Sequence, residues 1–501
     1  VLMLENRSFD NLLGWLYDPS NPAPFNSSPP PNFEGVYGKA LSNPGPEGPA
    51  AAGKGYQPGA PNPDPGEPYQ DVYSQVYGQQ TVLKLSEVPP YPPTACNMQG
   101  FVYNYSLQNG VQTPGAIMNC FTPVTVPVLS SLAHYYGVCD HWFASIPTET
   151  LCNRSYLHAG TSSGYVNNDG GDGILFVNDT PTIFNLISSS QSGRSWKIYC
   201  AGWIITSLAL LTQKQLWGYA LRAGYFFHLD DFMASAQKPG GLPSYSFIEP
   251  NYIDSVWWGP ENDMHPESHQ FQLYGPSNVE EGEKLLYKIY TAVRNSPDWA
   301  KTLLLVLFDE HGGCYDHVCP PGSQCNFAIS PDDVVIPQNQ PGGSGFNFDR
   351  LGVRVPAIIV SPYTQEGTIL NTPFDHTSVL TTIVQCLGLP EGKLGKRQAA
   401  APGISAALTL AGPRTDHPPI PQPAALDVRL EQRTEALGRL LAHTKAKSLS
   451  PLQRTVVRGA ARHMGLDADY QDEILRIKAA VEADALLMKL EAELLARRAR
   501  R

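Results

Sequence analysis

Between residues 309 and 317 the chain reads Asp-Glu-His-Gly-Gly-Cys-Tyr-Asp-His, which places three acids and two histidines on one short stretch. Adjacent carboxylates with imidazoles close by supply the hard oxygen and nitrogen donors that suit a divalent cation. Immediately upstream, Thr302 to Phe308 is an apolar run of strand length, too short to be a helix of its own. Because both of its faces are apolar, it reads as a fully buried parallel strand. Ligands of α/β sheets sit beyond the carboxyl ends of such strands. Gly312 and Gly313 free the turn behind the acids from ordinary φ/ψ limits. The first reading is therefore a metal site at a strand end.

The elements that must position this site alternate along the chain. Val1 to Leu4 reads as a first core strand that ends at Glu5-Asn6-Arg7-Ser8-Phe9-Asp10, with a helix start over Asn11 to Tyr17. Pro19 to Pro68 is dominated by Pro, Gly, Asn and Ser, the composition of a long functional or mobile loop. Gln70 to Gly78 and Val124 to Tyr136 carry helical spacing, and Tyr136 to Trp142 leads toward a strand. A helix running to Ala159 follows Thr150, and Thr182 to Ser188 is helical. Ser195 to Cys200 and Tyr245 to Glu249 are strand-like. Gly282 to Asn295 is an amphipathic helix, with Leu285, Leu286, Ile289, Tyr290 and Val293 at helical spacing. Val355 to Ser361 is another buried strand, and Asp375 to Cys386 a helix. Strands alternating with helices predict an α/β fold with a parallel sheet covered on both faces.

Domain boundaries are expected at 1–395 for the main domain, 396–424 for an Ala/Pro/Gly linker, and 425–501 for a C-terminal helical appendage of unassigned function. Ile474, Ile477 and Val481 form a short apolar stripe there, and Arg497, Arg498, Arg500 and Arg501 make a basic end that reads first as solvated and frayed, with transient contact to anionic lipid as the alternative.

Bulk properties exclude several classes. With 42% hydrophobic and 16% charged residues over 501 positions, the chain is globular and not disordered. A formal charge of −11 argues against a nucleic-acid groove, which needs a basic stripe. An anionic substrate must therefore be held locally, by metal and a few arginines. Nine cysteines without a CxxC pair exclude a zinc ribbon or dithiol motif. Cys314, Cys319 and Cys325 are close enough in sequence for a loop disulfide in an oxidising compartment. No run approaches the ~18–20 apolar residues of a membrane span. Val1-Leu2-Met3-Leu4 looks like a strand already under way, so a truncated N-terminus is expected, and a secreted or periplasmic location is favoured. Oligomeric state leaves no signal in the sequence.

Seven motifs in order carry a family resemblance: ENRSFD at 5–10, DPGE at 64–67, Thr150-Leu-Cys-Asn-Arg154, SFIEP at 246–250, NDMHP at 262–266, DEHGGCYDH at 309–317 and FDHTSVL at 374–380. Over roughly residues 1–395 the chain resembles the bacterial-type phosphoesterase family of non-haemolytic and non-specific phospholipases C and an acid phosphatase. The resemblance implies an alkaline-phosphatase-like α/β/α sandwich with a mostly parallel sheet, a divalent metal ion and a hydroxyl nucleophile. It implies Glu5, Asn6, Asp309 and Glu310 as metal ligands and Thr150 as the nucleophile. Asn153 and Arg154 follow as phosphate-binding residues, and His265, His317 and His376 as catalytic histidines. Glu67 stands where the family often has His, so its role stays open between metal support and orienting a leaving group. His311 and Asp316 are further candidates.

The chemistry is consistent with that carry-over. Phosphoryl transfer needs an in-line nucleophile, charge neutralisation on the equatorial oxygens and a protonated leaving group. A Thr hydroxyl becomes nucleophilic near a divalent metal, and a helix N-terminus behind it favours phosphate. Oxygen donors suit Mg, Ca or Mn, whereas a nearby His shifts preference toward Zn or Fe. Arg154 and Arg350 are candidates for a bidentate clamp. A sulfatase is disfavoured, since Thr150 cannot yield the aldehyde nucleophile. The expected function is a metal-dependent, phospholipase C-like phosphoesterase acting through a phosphothreonine. The alternatives are an acid-phosphatase-type phosphomonoesterase acting on small phosphate esters, or a non-catalytic lipid-binding protein on the same scaffold.

Overall fold

Eight short apolar segments pair into one sheet: β1 (Leu2–Leu4), β2 (Gly137–Cys139), β3 (Trp196–Cys200), β4 (Phe226–His228), β5 (Tyr245–Glu249), β6 (Leu304–Phe308), β7 (Ala357–Val360) and β8 (Thr368–Leu370). In space they run β8-β2-β7-β6-β1-β5-β3-β4. The structure is a computed structural model that describes residues 1–89, 92–168, 177–190, 192–255, 257–266, 279–322, 346–423, 451–463 and 480–500.

Every side chain of β1, β6 and β7 is buried, which explains their apolar sequences. The sheet is mostly parallel, as expected, with one correction. β7 runs antiparallel to both neighbours, so β6 is parallel only to β1. An apolar pattern on both faces reports burial and carries no information about a neighbour's direction.

Helices flank the sheet. In chain order these include α1 (Phe9–Leu13), α2 (Tyr69–Tyr77), α3 (Pro127–Tyr135), α4 (Thr150–Ala159), α5 (Ile183–Ser189), α6 (Leu208–Thr212), α7 (Leu229–Ala236), α8 (Val279–Arg294), α9 (Thr377–Leu387), α10 (Gly395–Ala400), α11 (Pro451–His463) and α12 (Ala480–Ala499). α8 buries the apolar stripe Leu285, Leu286, Ile289 and Val293. The same helix sends Glu283 to the start of α3, where its carboxylate accepts from the N–H groups of Val128 and Leu129 (2.5 and 3.0 Å). These are donors that a helix start leaves without partners.

The Pro/Gly-rich stretch 19–68 is packed, contrary to expectation. Ser42–Asn43 pairs with Ala50–Ala51, Gly53–Lys54 pairs with Asn119–Cys120, and Phe25, Phe33, Val36 and Tyr56 are buried. Proline and glycine mark irregular backbone, but the aromatic residues between them decide whether it packs. Within 396–424, α10 places Arg397 in the interior, where it donates to the carbonyls of Ser145 (2.9 Å) and Phe348 (2.7 Å).

The C-terminal helices dock on the main domain. Trp203 Nε1 donates to Asp484 Oδ1 (2.8 Å), Ile205 N donates to Glu491 Oε2 (3.2 Å), and His228 lies 3.1 Å from Glu491. Of the apolar stripe read there, Ile474, Ile477 and the side chain of Val481 lie outside the described residues.

The loop disulfide is also corrected. Cys319 bonds to Cys96, 223 positions away, Cys314 is a buried free thiol, and Cys325 lies outside the described residues. Proximity in sequence did not identify the partner, because the loop after β6 folds back over the segment that follows α2.

Candidate active site

Register alone brings the first two acids together. β1 and β6 are parallel with Leu4 opposite Phe308, so Glu5 and Asp309 leave the sheet side by side. Asp309 N donates to Leu4 O (3.2 Å), and Asn6 N donates to Asp309 Oδ1 (3.0 Å). Asn6 sits at φ 55°, in the left-handed region that Asn tolerates better than most residues. The two glycines of the DEHGG stretch serve close approach. A Cβ on Gly312 would stand 2.2 Å from the Asn6 carbonyl oxygen, and one on Gly313 would stand 2.6 Å from Gly66 O. The loop after β6 thus closes over both the Glu5-Asn6 turn and the Asp64–Glu67 turn.

Thr150 is the first residue of α4 and is buried. Its Oγ1 donates to Asn6 Oδ1 at 3.3 Å, which joins the expected nucleophile to the expected metal ligands. The helix N-terminus behind it is less open than the sequence suggests, because Leu151 N already donates to Asn168 Oδ1 (2.7 Å).

The acids here are unusually hard to ionise. Burial, then Asp309, pushes Glu5 well above the usual carboxylate range, even though Arg154 opposes the shift. Burial, then the Asp309 charge, does the same to Glu310. Glu67 is raised by burial and then by Asp64 and Glu310, and burial lifts Asp64 to about 6. Glu5 Oε2 and Glu310 Oε1 are buried without a hydrogen-bond partner among the described residues. Crowded carboxylates with orphaned oxygens fit a cation, which would relieve both costs at once.

Arg154 already supplies part of that positive charge. Its Nη2 stands 2.9 Å from Glu5 Oε1, and its Nε donates to Asp309 Oδ2 at 2.9 Å. The guanidinium is thus committed to two carboxylates, and its burial leaves it no approach to solvent. Nε and Nη2 are engaged in this way, which leaves Nη1, without a hydrogen-bond partner among the described residues, for the expected phosphate contact. Asn153 is likewise occupied, accepting from Ile146 N (3.0 Å) and donating to Thr148 O (2.7 Å). Arg350 is turned to Asp349 (3.3 Å) and the Tyr69 hydroxyl (2.7 Å), over the Phe346 ring.

The histidines separate. His265 joins the site, with Nε2 3.0 Å from Asn6 Nδ2 and 3.5 Å from Glu67 Oε1. His376 is wired inward: its Nε2 donates to the Asp309 carbonyl (2.6 Å), and its Nδ1 accepts from Trp142 Nε1 (3.3 Å). It thereby fixes the end of β6. His311 donates from Nε2 to Gln75 Oε1 (2.8 Å), and burial takes it down to about 3. His317 belongs to another cluster, 2.5 Å from Asp10 and 2.9 Å from Glu34. Asp316 joins it there, bound by Arg354 Nε at 2.9 Å.

Among the described residues, two groups bring three ligand-type side chains within 4.8 Å of one another, namely Asp10, Asp316 and His317, and Asp64, Glu67 and His265. In the first, Arg354 also donates from Nη2 to Asp10 Oδ1 (2.9 Å), Asp10 Oδ2 meets His317, and Asp316 Oδ2 accepts from Asp10 N (3.1 Å). Its charges are already matched, so it reads as a structural network. Glu5, Asp309 and Glu310 are not among these groups, and Arg154 lies against the first two.

Sequence reasoning missed Arg7, Asp10, Asp64, Arg354 and Asp263, whose carbonyl accepts from Glu5 N (2.8 Å) and whose Oδ1 accepts from His265 N (2.9 Å). Four of these lie inside motifs already noted: Arg7 and Asp10 in ENRSFD, Asp64 in DPGE and Asp263 in NDMHP. Arg354 carried no local signal.

Comparison with known proteins identifies the family. A family model described as the Phosphoesterase family matches residues 1–390. Non-specific phospholipase C3 of Arabidopsis thaliana is 33% identical over 465 residues, covering 87% of this chain and 79% of that protein. Phospholipase C B of Mycobacterium tuberculosis is 27% identical over 469 residues, covering 83% and 80%. Among solved structures, a protein in the alkaline phosphatase superfamily from Vibrio parahaemolyticus matches 74% of this chain and 95% of its own, with 12% identity and a TM-score of 0.31. That likeness is too distant to bear on the site.

Proposed function

Because the chain belongs to the phosphoesterase family, whose chemistry is hydrolysis of phosphoric ester bonds, we propose a phospholipase C-type reaction with Thr150 as nucleophile. The observation that carries this reading is the 3.3 Å hydrogen bond from Thr150 Oγ1 to Asn6 Oδ1 at the carboxyl end of β1, beside Asp309 and Glu310. The relatives' names point to phospholipid as the substrate.

Glu5, Asn6, Asp309 and Glu310 are the residues that would hold a divalent cation. When bound, it would make the Thr150 hydroxyl more acidic and neutralise charge on the phosphate oxygens. Thr150 Oγ attacks phosphorus in line, and the bond to the glycerol oxygen breaks. The proton lost by Thr150 balances the one gained by the leaving alcohol. A phosphothreonine results, and water attacks its phosphorus to release the phosphorylated head group and restore the hydroxyl. Arg154 holds Glu5 and Asp309 in place throughout, and His376 holds the Asp309 backbone.

A secreted or periplasmic location is part of the proposal. The Cys96–Cys319 disulfide supports it, since such bonds persist in oxidising compartments.

The test compares phosphocholine release from phosphatidylcholine with p-nitrophenyl phosphate hydrolysis, each with and without chelator. Chelator-sensitive lipid cleavage that Thr150→Ala abolishes is the expected result. Full activity in Thr150→Ala would sink the mechanism. Activity confined to the monoester would make the enzyme a phosphatase.

A further inference from the structure

An asparagine ligand has a problem that a carboxylate does not. Its amide has one acceptor and two donor hydrogens, and a half-turn about its last torsion exchanges them with little change in shape. Only one orientation of Asn6 points Oδ1 at Thr150 and the cation. The reverse presents an NH2 group there and sets Oδ1 against Glu67.

The structure shows what selects the orientation. Asn6 Nδ2 stands 2.5 Å from Glu67 Oε1 and 3.0 Å from His265 Nε2. An amide nitrogen only donates, so Glu67 Oε1 accepts an amide hydrogen whichever form its carboxyl group takes. The second is also fixed. His265 Nδ1 lies 2.8 Å from Pro266 O, a carbonyl that only accepts, and Asn6 Nδ2 only donates, so the contact between Asn6 Nδ2 and Nε2 pairs an amide hydrogen with the ring nitrogen that faces away from Pro266. Both amide hydrogens are therefore assigned, and Oδ1 is left to accept from Thr150 at 3.3 Å.

We propose that Glu67 and His265 are positioning residues, which accept the two amide hydrogens of Asn6 and so hold its Oδ1 toward Thr150 and the cation.

The two acceptors come from distant segments, and Arg7 ties both to Asn6. Its Nε donates to Met264 O (2.6 Å), one residue before His265, and its Nη1 donates to Ala60 O (2.6 Å), on the segment leading to Glu67. Met264 is itself held at φ 74°, a cost borne only where surrounding contacts enforce it. Glu67 and His265 also belong, with Asp64, to a convergent ligand-type group. Yet the atoms that face each other, Glu67 Oε1 and His265 Nε2, are the ones already occupied by Asn6.

The inference rests on the reading of Asn6 as a cation ligand, and the experiment separates the two. Manganese binding to the full-length chain is measured by calorimetry, with kcat on p-nitrophenyl phosphate read in parallel. Glu67→Leu is expected to weaken manganese binding about tenfold or more, as losing an orienting partner of a ligand does, and to lower kcat with it. Asn6→Asp faces Glu67 with a second carboxylate. Adding Glu67→Gln reverses the polarity of the pair, since the Gln amide now donates to Asp. The double variant should therefore bind manganese about tenfold tighter than the product of the two single effects.

Strict additivity would overturn the proposal. So would a Glu67→Leu that binds manganese normally but no longer turns over, since Glu67 would then act on the substrate. If Glu67→Leu does not fold, His265→Leu against His265→Gln poses the same question, because Gln keeps an acceptor. Manganese binding that Glu5→Gln and Asp309→Asn leave untouched would instead defeat the underlying cation-site reading.

Discussion

His317 Nδ1 lies 2.5 Å from Asp10 Oδ2, which anchors the loop after β6 to the first turn of α1. The histidine that motif reasoning placed among the catalytic groups is instead half of a buried ion pair. Arg354 completes it on one side, and Glu34 on the other at 2.9 Å.

The pair makes stability depend on pH in a defined direction. Burial opposes the His317 charge, yet Asp10 and Glu34 hold it protonated up to about 9. A histidine raised in the folded state stabilises fully below its unfolded value near 6.5, and that contribution fades as pH climbs toward 9. Asp10 is lowered despite burial, by His317 and Arg354, so its contribution is lost in acid. Denaturant unfolding should show His317→Ala costing about 3 kcal/mol at pH 6 and clearly less at pH 9.5. An equal cost at both values would show that His317 is neutral.

His158 gives the opposite slope below neutrality. It is fully buried on α4 against Phe184 and Phe247, with neither ring nitrogen bonded among the described residues. Burial, then Arg154, lowers it to about 3. Below pH 6.5 the unfolded chain takes up a proton that the folded one refuses, so stability falls by about 1.4 kcal/mol per pH unit between 6.5 and 3. His158→Phe should remove that slope and leave stability at pH 7.5 unchanged or improved. Unfolding curves at pH 5 and 7.5 for both proteins check it.

Arg154 and a divalent cation answer the same electrostatic need. Arg154→Met strips the positive charge from between Glu5 and Asp309, and breaking a buried pair costs about 3–5 kcal/mol. Excess manganese should restore much of that loss, whereas chelator should restore none. Thermal melts in both conditions decide the matter, and equal destabilisation in both would mean that no cation reaches these carboxylates.

The Cys96–Cys319 bond braces the loop that carries Asp309 to His317. Cys319→Ser should cost about 2–5 kcal/mol of stability. Dithiothreitol should reproduce that loss in the native chain and have no further effect on the variant. A reductant effect that persists in Cys319→Ser would point to chemistry at another thiol.

Much of this protein was legible in its sequence. Apolar runs at Val1 to Leu4, Thr302 to Phe308 and Val355 to Ser361 read as buried strands, and the acids after the first two marked the carboxyl edge of a sheet. The spacing of α8 predicted its buried face. These are local consequences of periodicity and burial, written residue by residue.

Contacts between distant segments were decided elsewhere. No pattern in Ala357–Val360 tells its direction, since burial on both faces looks the same either way. The partner of Cys319, the commitment of Arg154 to Glu5 and Asp309, and the departure of His317 to Asp10 all depend on which segments fold together. The orientation of the Asn6 amide is the sharpest case. The sequence names an asparagine at the end of β1. Only the convergence of Glu67 and His265, brought in from 61 and 259 residues away, determines which of its atoms faces Thr150. Hydrogen bonds have direction, and a sequence lists donors and acceptors without saying where they meet.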